Sequence, residues 1–280
     1  MKNIVYICSL LGILLLINAC TEDVGTLEGG TKPIVEAYLT PDHPISMKVT
    51  REIPYNSDDT TTTQVPINSL AITVTGNGET YKLTSVGEGV YKSDASVRIK
   101  VGATYSMSFV YEGKTVSAST IIPTKPTDFA EDITSLYRTK VDLSAGGTPG
   151  AIGGGFDNTQ ITLTWTNPKD EYHFVVANNT EVSPVLIVTL PTDVSNDVLT
   201  RRFRTEPVQG VTTFLRANQF LYFGNHDIIL MKVNPDYAAL YKSTGSTSQN
   251  ISTPPSTITN GLGLFTGINA DTLHFEVKQR

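Results

Sequence analysis

The chain has 280 residues, 27 of them acidic and 21 basic, which gives a formal net charge of −6 at pH 7. A nucleic-acid-binding function is therefore disfavoured, because phosphate backbones are bound by clustered Lys and Arg. The one basic run, Arg-Arg-Phe-Arg at residues 201–204, is interpreted as a solvated strand or loop face. Charged residues make up 17% of the chain, below the roughly 25% typical of soluble domains. The Thr and Ser that replace them on polar faces favour a β-rich fold, since Thr is β-branched.

The N-terminus predicts a signal peptide over residues 1–19. Its apolar stretch, residues 4–17, is shorter than the roughly 20 residues that a membrane-spanning helix needs. Residues 16–20 resemble the lipobox of bacterial lipoproteins, which implies cleavage before Cys20 and a lipid on its thiol. Because Cys8 would leave with the leader, the mature chain would contain neither a free thiol nor a disulfide. An ordinary signal peptide or a short membrane anchor is the alternative interpretation.

A flexible tether is predicted for residues 20–31, because glycine without apolar neighbours forms flexible linkers. The acidic pair Glu22 and Asp23 resembles the surface-export signal of lipoproteins in the Bacteroidetes. A solvated acidic pair without any such role is the alternative.

The first module, residues 32–125, is predicted to be a β-sandwich of immunoglobulin-like or transthyretin-like size. Two hairpins are expected within it. One turns at the Asn-Gly pair of residues 77–78, and the other turns at residues 112–114 after an alternating strand at 105–111. The module should end at the prolines of positions 123 and 126, because proline cannot donate to a sheet ladder.

The second module, residues 126–280, is predicted to be a larger β-rich domain with one short helix. A Gly-rich segment at 146–155 is interpreted as a surface loop, since it lacks the Gly-Lys-Ser/Thr of a phosphate-binding loop. The β-branched run 185–190 predicts a central strand. Further strands are predicted at the sequences listed here: Ile161 to Trp165, Tyr172 to Val176, Ile228 to Val233 and Thr272 to Val277. Pro235 opens a predicted helix that runs through Tyr241.

Candidate catalytic and metal-binding motifs are incomplete. The Gly-Asn-His-Asp element at 224–227 resembles one motif of the calcineurin-like metallophosphatases, but that family's other metal-binding motifs are missing. It is interpreted as a turn before a strand. His43, His173 and His274 are isolated, and neither His-x-x-x-His nor Gly-x-Ser-x-Gly is present. Residues 56–59 lack the alternating carboxylates of a calcium loop. We therefore predict no catalytic residue, metal site or cofactor.

Several segments together resemble a family of uncharacterised outer-membrane lipoproteins from the Bacteroidetes, domain of unknown function 4249. The segments are Pro-Ile-Val-Glu-Ala-Tyr-Leu-Thr at 33–40, Gly-Val-Tyr at 89–91, Gly-Ala-Thr-Tyr-Ser-Met at 102–107, the run from Gly113 to Pro123, and Thr-Asn-Gly-Leu-Gly-Leu-Phe at 259–265. In the last segment, Gly261 and Gly263 are expected to permit close backbone approach while the neighbouring apolar residues bury.

The resemblance implies no known reaction, but it suggests an accessory role beside a TonB-dependent transporter in nutrient uptake. We therefore expect a non-catalytic lipoprotein, held to the outer membrane by its lipid on the periplasmic or extracellular face, whose ligand is unknown. An adhesin or envelope-structural lipoprotein is the alternative. A hydrolase with an unrecognised site is a third reading.

Overall fold

The computed structural model describes residues 31–52, 64–142, 144, 159–190, 199–243 and 256–280, apart from the side chains of residues 242 and 243. Within these ranges the structure is mainly β-strand with one short α-helix, so the predicted all-β class is confirmed. The predicted leader, Cys20, the tether as far as residue 30, the Gly-rich segment and residues 56–59 lie outside the described residues. In the described part of the chain, no helix has the length and apolar character needed to cross a membrane.

Nine strands form a sandwich of two sheets in the first module, as predicted. In chain order they are β1 (Pro33–Leu39), β2 (Ser46–Arg51), β3 (Val65–Pro66), β4 (Thr73–Gly76), β5 (Glu79–Lys82), β6 (Thr84–Gly87), β7 (Val90–Lys92), β8 (Thr104–Tyr111) and β9 (Lys114–Ile121). One sheet has the order β1-β2-β7-β6, with β3 paired to β2. The other has the order β5-β4-β8-β9.

Both predicted hairpins of this module are confirmed. β4 and β5 pair on either side of Asn77 and Gly78, whose φ angles are 53° and 79°. β8 and β9 pair on either side of Glu112 and Gly113, whose φ angles are 47° and 74°. Two consecutive residues with positive φ give a type I′ turn, whose twist matches that of the strands it joins.

The core of the first module lies between its two sheets. Tyr105, Met107 and Phe109 occupy alternate positions of β8 and are at most 3% exposed. They belong to one apolar cluster with Val35 and Leu39 of the opposite sheet. Because side chains alternate between the two faces of a strand, this burial follows directly from the period-2 pattern in the sequence.

The described part of the second module contains ten further strands, one α-helix and a short 3-10 helix at Ala217–Gln219. In chain order the strands and the α-helix are β10 (Thr127–Glu131), β11 (Ser135–Arg138), β12 (Val141–Asp142), β13 (Gln160–Thr166), β14 (Tyr172–Asn179), β15 (Val188–Thr189), β16 (Arg202–Arg204), β17 (Thr212–Arg216), β18 (Gly224–Val233), α1 (Pro235–Ser243) and β19 (Leu262–Gln279). The large sheet has the order β16-β14-β18-β19, with β11 also paired to β19, and it faces a sheet of order β10-β13-β17. The inner faces of these two sheets share a second apolar core.

Most predicted elements of this module are present. Ile161, Leu163 and Trp165 are buried on one face of β13. The helix begins at Pro235 as predicted, where a missing backbone N–H costs nothing. The last strand is longer than predicted, since it begins at Leu262 rather than near Thr272.

The prediction of a central strand at residues 185–190 was wrong. Only Val188 and Thr189 form a strand, and this strand pairs with β12 in a separate two-stranded sheet. Ile187 and Val188 are nevertheless almost fully buried. The β-branched composition therefore indicated that this segment is buried. Burial alone does not distinguish a short peripheral strand from a central one.

Strand β19 belongs to both modules. Its first part pairs in parallel with β1, from Ile34–Leu262 to Leu39–Gly267. Its second part pairs in antiparallel fashion with β18, and its end pairs in parallel with β11. Its 18 residues would extend over about 60 Å at the usual rise of a strand. The two sandwiches are therefore connected through one continuous main chain in addition to the linker between β9 and β10.

Polar side chains of the second module bind that linker and the end of β9 before it. Asn234 donates to the Thr120 hydroxyl and to the Ile121 carbonyl, both at 2.9 Å. Asn269 donates to the Pro123 carbonyl at 2.9 Å. Lys232 is buried, donates to the Thr124 hydroxyl at 2.9 Å and pairs with the Glu171 carboxylate. These contacts satisfy the backbone carbonyls of Ile121 and Pro123 and hold the connection between the modules against the second sheet.

The strand break falls where the prolines predict it, because β9 ends at Ile121 and β10 starts at Thr127. That residues 32–125 and 126–280 are separate domains stays a prediction. The first core also contains Ile258 and Phe265 from the far end of the chain. The first sandwich is therefore completed by a segment that the boundary prediction assigned to the second module.

We predict that Gly263→Ala destabilises the protein strongly. Gly263 has a φ of +97°, and an added Cβ would lie 2.1 Å from the Val35 carbonyl oxygen. This oxygen is part of the paired strand β1, so it cannot move away without disturbing the ladder. A strained non-glycine conformation alone costs about 1–3 kcal/mol.

The control is Gly113→Ala. Gly113 also has a positive φ, of +74°, but an added Cβ would meet nothing within 4 Å. Both variants carry the strain of a positive φ, so the difference between them reports the steric overlap at Gly263. Urea unfolding should show that Gly263→Ala loses at least about 2 kcal/mol more than Gly113→Ala. Equal losses would mean that the close approach of β19 to β1 does not constrain the fold.

Candidate functional site

A pocket of about 550 Å³ lies where the two modules meet. We call it the junction pocket. Its described lining residues come from six different elements of the chain, and they are Tyr38, Phe174, Arg202, Phe203, Arg204, Met231, Tyr237 and Ile268. Its volume falls within the range of about 300–1,000 Å³ that is typical of small-molecule sites.

Aromatic and apolar side chains form one wall of the junction pocket. Phe174 and Tyr237 stack, with ring centroids 5.4 Å apart and an interplanar angle of 12°. Tyr38 meets Tyr237 edge to face at 6.1 Å. Phe174 also packs with Met231 and Ile268 on the outer face of the large sheet. Helix α1 covers one side of this apolar face, and the remaining part of it is the floor of the pocket.

Two guanidinium groups line the pocket beside this wall. Because Val176 pairs with Arg204 and Asn178 with Arg202, both arginines project from the same face as their partners on β14. Arg204 donates to the Tyr237 hydroxyl oxygen at 3.1 Å, and its guanidinium carbon lies 4.7 Å from the centroid of the Tyr241 ring. Arg204 is thereby fixed against the helix.

Tyr38 contributes a neutral hydroxyl group. Partial burial raises the pKa of the Tyr38 phenol, and the proximity of Tyr237 and Glu36 raises it further. The phenol therefore remains protonated at neutral pH and can donate a hydrogen bond. No carboxylate is found among the described residues that line the pocket.

Sequence reasoning did not identify this site. The Arg-Arg-Phe-Arg run at 201–204 was interpreted as a solvated strand or loop face, and its residues 202–204 form edge strand β16. The pairing of β16 with β14 places two of its arginines beside Phe174. The clustered arginines were the available signal of this site in the sequence. Tyr38 and Ile268 lie far apart along the chain, and only the sheet topology shows that they are close in space.

The Gly-Asn-His-Asp element lies elsewhere, at the start of β18. Gly224 has a φ of 94°, and Asn225 donates through both its backbone and its side-chain nitrogen to the Glu181 carboxylate at 2.8 Å. Asp227 pairs with His274 Nδ1 at 2.8 Å. All four residues pair with β19 as the first residues of β18, so the interpretation of the element as a turn before a strand was wrong.

The four histidines do not form a site together. His43 lies in an exposed loop, where its ring Nδ1 is 2.8 Å from the Pro41 carbonyl oxygen. His173 and His226 are buried, while His274 is exposed on β19. Across the described ranges, no three His, Cys, Asp or Glu side chains converge as a metal site would require.

His226 is held as a neutral ring by its neighbours. Its Nδ1 lies 3.0 Å from the Gly224 carbonyl oxygen, which can only accept, so Nδ1 carries the proton. Its Nε2 lies 3.4 Å from the Asn179 amide nitrogen, which donates to it. The orientation of that amide is set by Arg201, which donates to Asn179 Oδ1 at 3.2 Å. A second ring proton would therefore face a donor.

Burial lowers the pKa of both interior histidines. For His226 desolvation is the main cause, and it outweighs the hydrogen bond to Gly224, which acts in the opposite direction. For His173 desolvation is again the main cause, opposed by its hydrogen bond to the Glu171 carbonyl. Both rings are therefore neutral in the folded protein at a pH where the unfolded chain already binds protons.

We predict that stability falls as the pH drops below 6.5. The unfolded histidines take up protons from that pH downwards, while the folded ones resist until their lowered pKa is reached, so the stabilisation present above 6.5 is lost in this window. Urea midpoints at pH 7.0 and 5.5 measure the loss. It should be smaller in His226→Gln, whose amide can still donate and accept. His43→Gln, at the exposed loop position, should retain the full loss. A His226→Gln profile as steep as that of the unaltered protein would contradict this account.

Solved structures of multidomain β proteins are similar to the chain. A segment of two fibronectin type III domains from chicken tenascin matches with 12% identity over 88% of this chain and 99% of that chain, with a TM-score of 0.24. Domains FN1–FN3 of chicken CNTN1 match with 14% identity over 74% of this chain and 62% of that chain, with a TM-score of 0.24. Domains A168–A170 of titin match with 9% identity over 73% and 61%, with a TM-score of 0.20.

These structures are similar to the chain in their β class alone. No curated protein matches the chain. The family described as "Domain of unknown function (DUF4249)" matches residues 23–274, which include the junction pocket, most of both sandwiches and most of β19. The chain therefore belongs to the DUF4249 family, as the resemblance of its short segments predicted.

Proposed function

We propose that the chain is a non-catalytic lipoprotein of the outer membrane or cell surface, which binds a ligand as an accessory component of a TonB-dependent uptake system. The junction pocket is the observation that carries this proposal. It is an apolar cleft with a few convergent polar groups, and such clefts are the usual form of small-molecule sites.

Binding is favoured over catalysis by the chemistry of the pocket wall. Its described lining residues are aromatic, aliphatic, methionine or arginine, without a His, Asp, Glu, Ser or Cys side chain. General acid–base and nucleophilic catalysis depend mainly on those missing types. Phenols and guanidinium groups hold and orient a ligand more readily than they transform it.

The proposed location rests on the sequence around Cys20. A lipid on this residue would hold the protein at a membrane surface, and several acyl chains are needed for stable anchoring. The residues between Cys20 and β1 are rich in glycine and acidic side chains. A tether of this composition would allow the sandwiches to face a membrane-embedded partner.

We predict that Cys20→Ser abolishes both lipid attachment and membrane association. Serine lacks the thiol to which the lipid is transferred. In cells that are fed a radiolabelled fatty acid, the unaltered protein should carry the label and sediment with the outer membrane, whereas Cys20→Ser should do neither. Cys8→Ser is the control, because Cys8 lies within the predicted leader. It should be labelled normally. Labelling of Cys20→Ser, or an intact leader on the unaltered protein, would contradict the proposal.

We predict that a tagged, detergent-solubilised form of the protein co-purifies with a TonB-dependent transporter. The measurement is mass spectrometry of the eluate, compared with that of an unrelated tagged lipoprotein in the same detergent. A transporter enriched over the control is the expected result. Recovery of the tagged protein alone would contradict the accessory role and favour the adhesin interpretation.

A further inference from the structure

We infer that the junction pocket takes an organic anion: a carboxylate attached to a flat apolar body. The inference rests on the pocket being the ligand site proposed above. The apolar wall would hold the body, and Arg202 and Arg204 would hold the carboxylate.

The apolar wall suits a planar group. Phe174 and Tyr237 are nearly parallel, and Tyr38 presents its ring at 74° to that of Tyr237. Aromatic rings prefer such offset or edge-to-face contacts with a further ring. Met231 adds an adaptable side chain to the same wall, since methionine fills gaps of irregular shape.

The polar side of the pocket offers hydrogen-bond donors. Arginine carries five N–H donors and no acceptor. Among the described residues, the Arg202 side chain has no hydrogen bond, ion pair or ring contact, and it is exposed. Arg204 is held by the Tyr237 oxygen and the Tyr241 ring. Part of the conformational entropy of its side chain is therefore lost before a ligand binds, and binding costs correspondingly less. A group with two oxygen acceptors and a negative charge complements this pair.

Nearby carboxylates do not cancel the positive charge of Arg202 and Arg204. Asp236 accepts hydrogen bonds from the Tyr237 backbone N–H at 2.8 Å and from the Thr266 hydroxyl at 2.9 Å, so it serves the start of the helix. Glu36 projects from β1 near Tyr38 and is the one acidic side chain that raises the pKa of that phenol. Among the described residues that line the pocket, the two guanidinium groups are the only charged side chains.

Two other ligand classes fit less well. A cation would face both arginines at close range. A neutral sugar presents many hydroxyl donors, and these need acceptors, whereas the described lining side chains present mainly donors. An anion with an apolar body uses both sides of the pocket.

The test is isothermal titration calorimetry on the full-length protein in detergent, with 1-naphthoate and with the neutral 1-naphthalenemethanol as probes. Each probe partitions into the detergent to the same extent with every variant, so differences in affinity between variants reflect binding in the pocket. Naphthoate should bind at least about tenfold more tightly than the neutral probe. Arg202→Gln should weaken naphthoate binding by about fivefold and leave the neutral probe unchanged.

Arg202→Gln is the decisive variant because Arg202 has no described contact to lose, whereas Arg204 also supports the helix. Arg51→Gln, at an exposed position at the end of β2 in the first module, should bind both probes like the unaltered protein. Equal affinity for the two probes, or naphthoate binding that Arg202→Gln leaves intact, would overturn the inference while leaving an apolar ligand site. Failure of both probes to bind would overturn the inference and the proposed ligand site together.

Discussion

The architecture depends on one strand that two sandwiches share. The pairing of β19 with β1 completes the first sheet, and its pairing with β18 and β11 builds the second. Both hydrophobic cores take residues from this strand: Phe265 contributes to the first core, and Phe275 and Val277 contribute to the second. Neither core is complete until the end of the chain is in place. The close approach of β19 to its neighbours, marked by glycines at 263 and 267, is the steric condition for that arrangement.

The shared strand also explains why a pocket forms at the junction. Because β19 continues from one sheet into the next, Tyr38 of β1 is carried to the apolar outer face of the second sheet, close to Ile268. Helix α1 follows β18 directly and returns across that face, where Tyr237 packs on Phe174. The apolar surface is broader than the nine-residue helix can cover. The uncovered remainder, bordered by two arginines, is the concavity that we propose as the ligand site.

Local signals in the sequence predicted local structure well. The two hairpin turns, the alternating strand at 105–111, the proline break and the helix start each depend on a few neighbouring residues. The central strand predicted at 185–190 failed because β-branched residues indicate burial and not a position within a sheet. The pocket could not be predicted, since Tyr38 and Ile268 are brought together by a parallel pairing between the two ends of the chain. The arginines at 202 and 204 were visible in the sequence, but their partners were not.

The parallel alignment of β1 and β19 has a mechanical consequence. A tether attached before β1 would pull on its N-terminal end, while the far end of β19 is held in the second sandwich. Such a load acts along the strands and in opposite directions on the two of them. It therefore loads all the residue pairs from Ile34–Leu262 to Leu39–Gly267 simultaneously, in shear, and does not separate them one after another. If the chain is anchored to a membrane through its N-terminal segment, as we propose, it would resist extension at the strand pair that holds its two halves together.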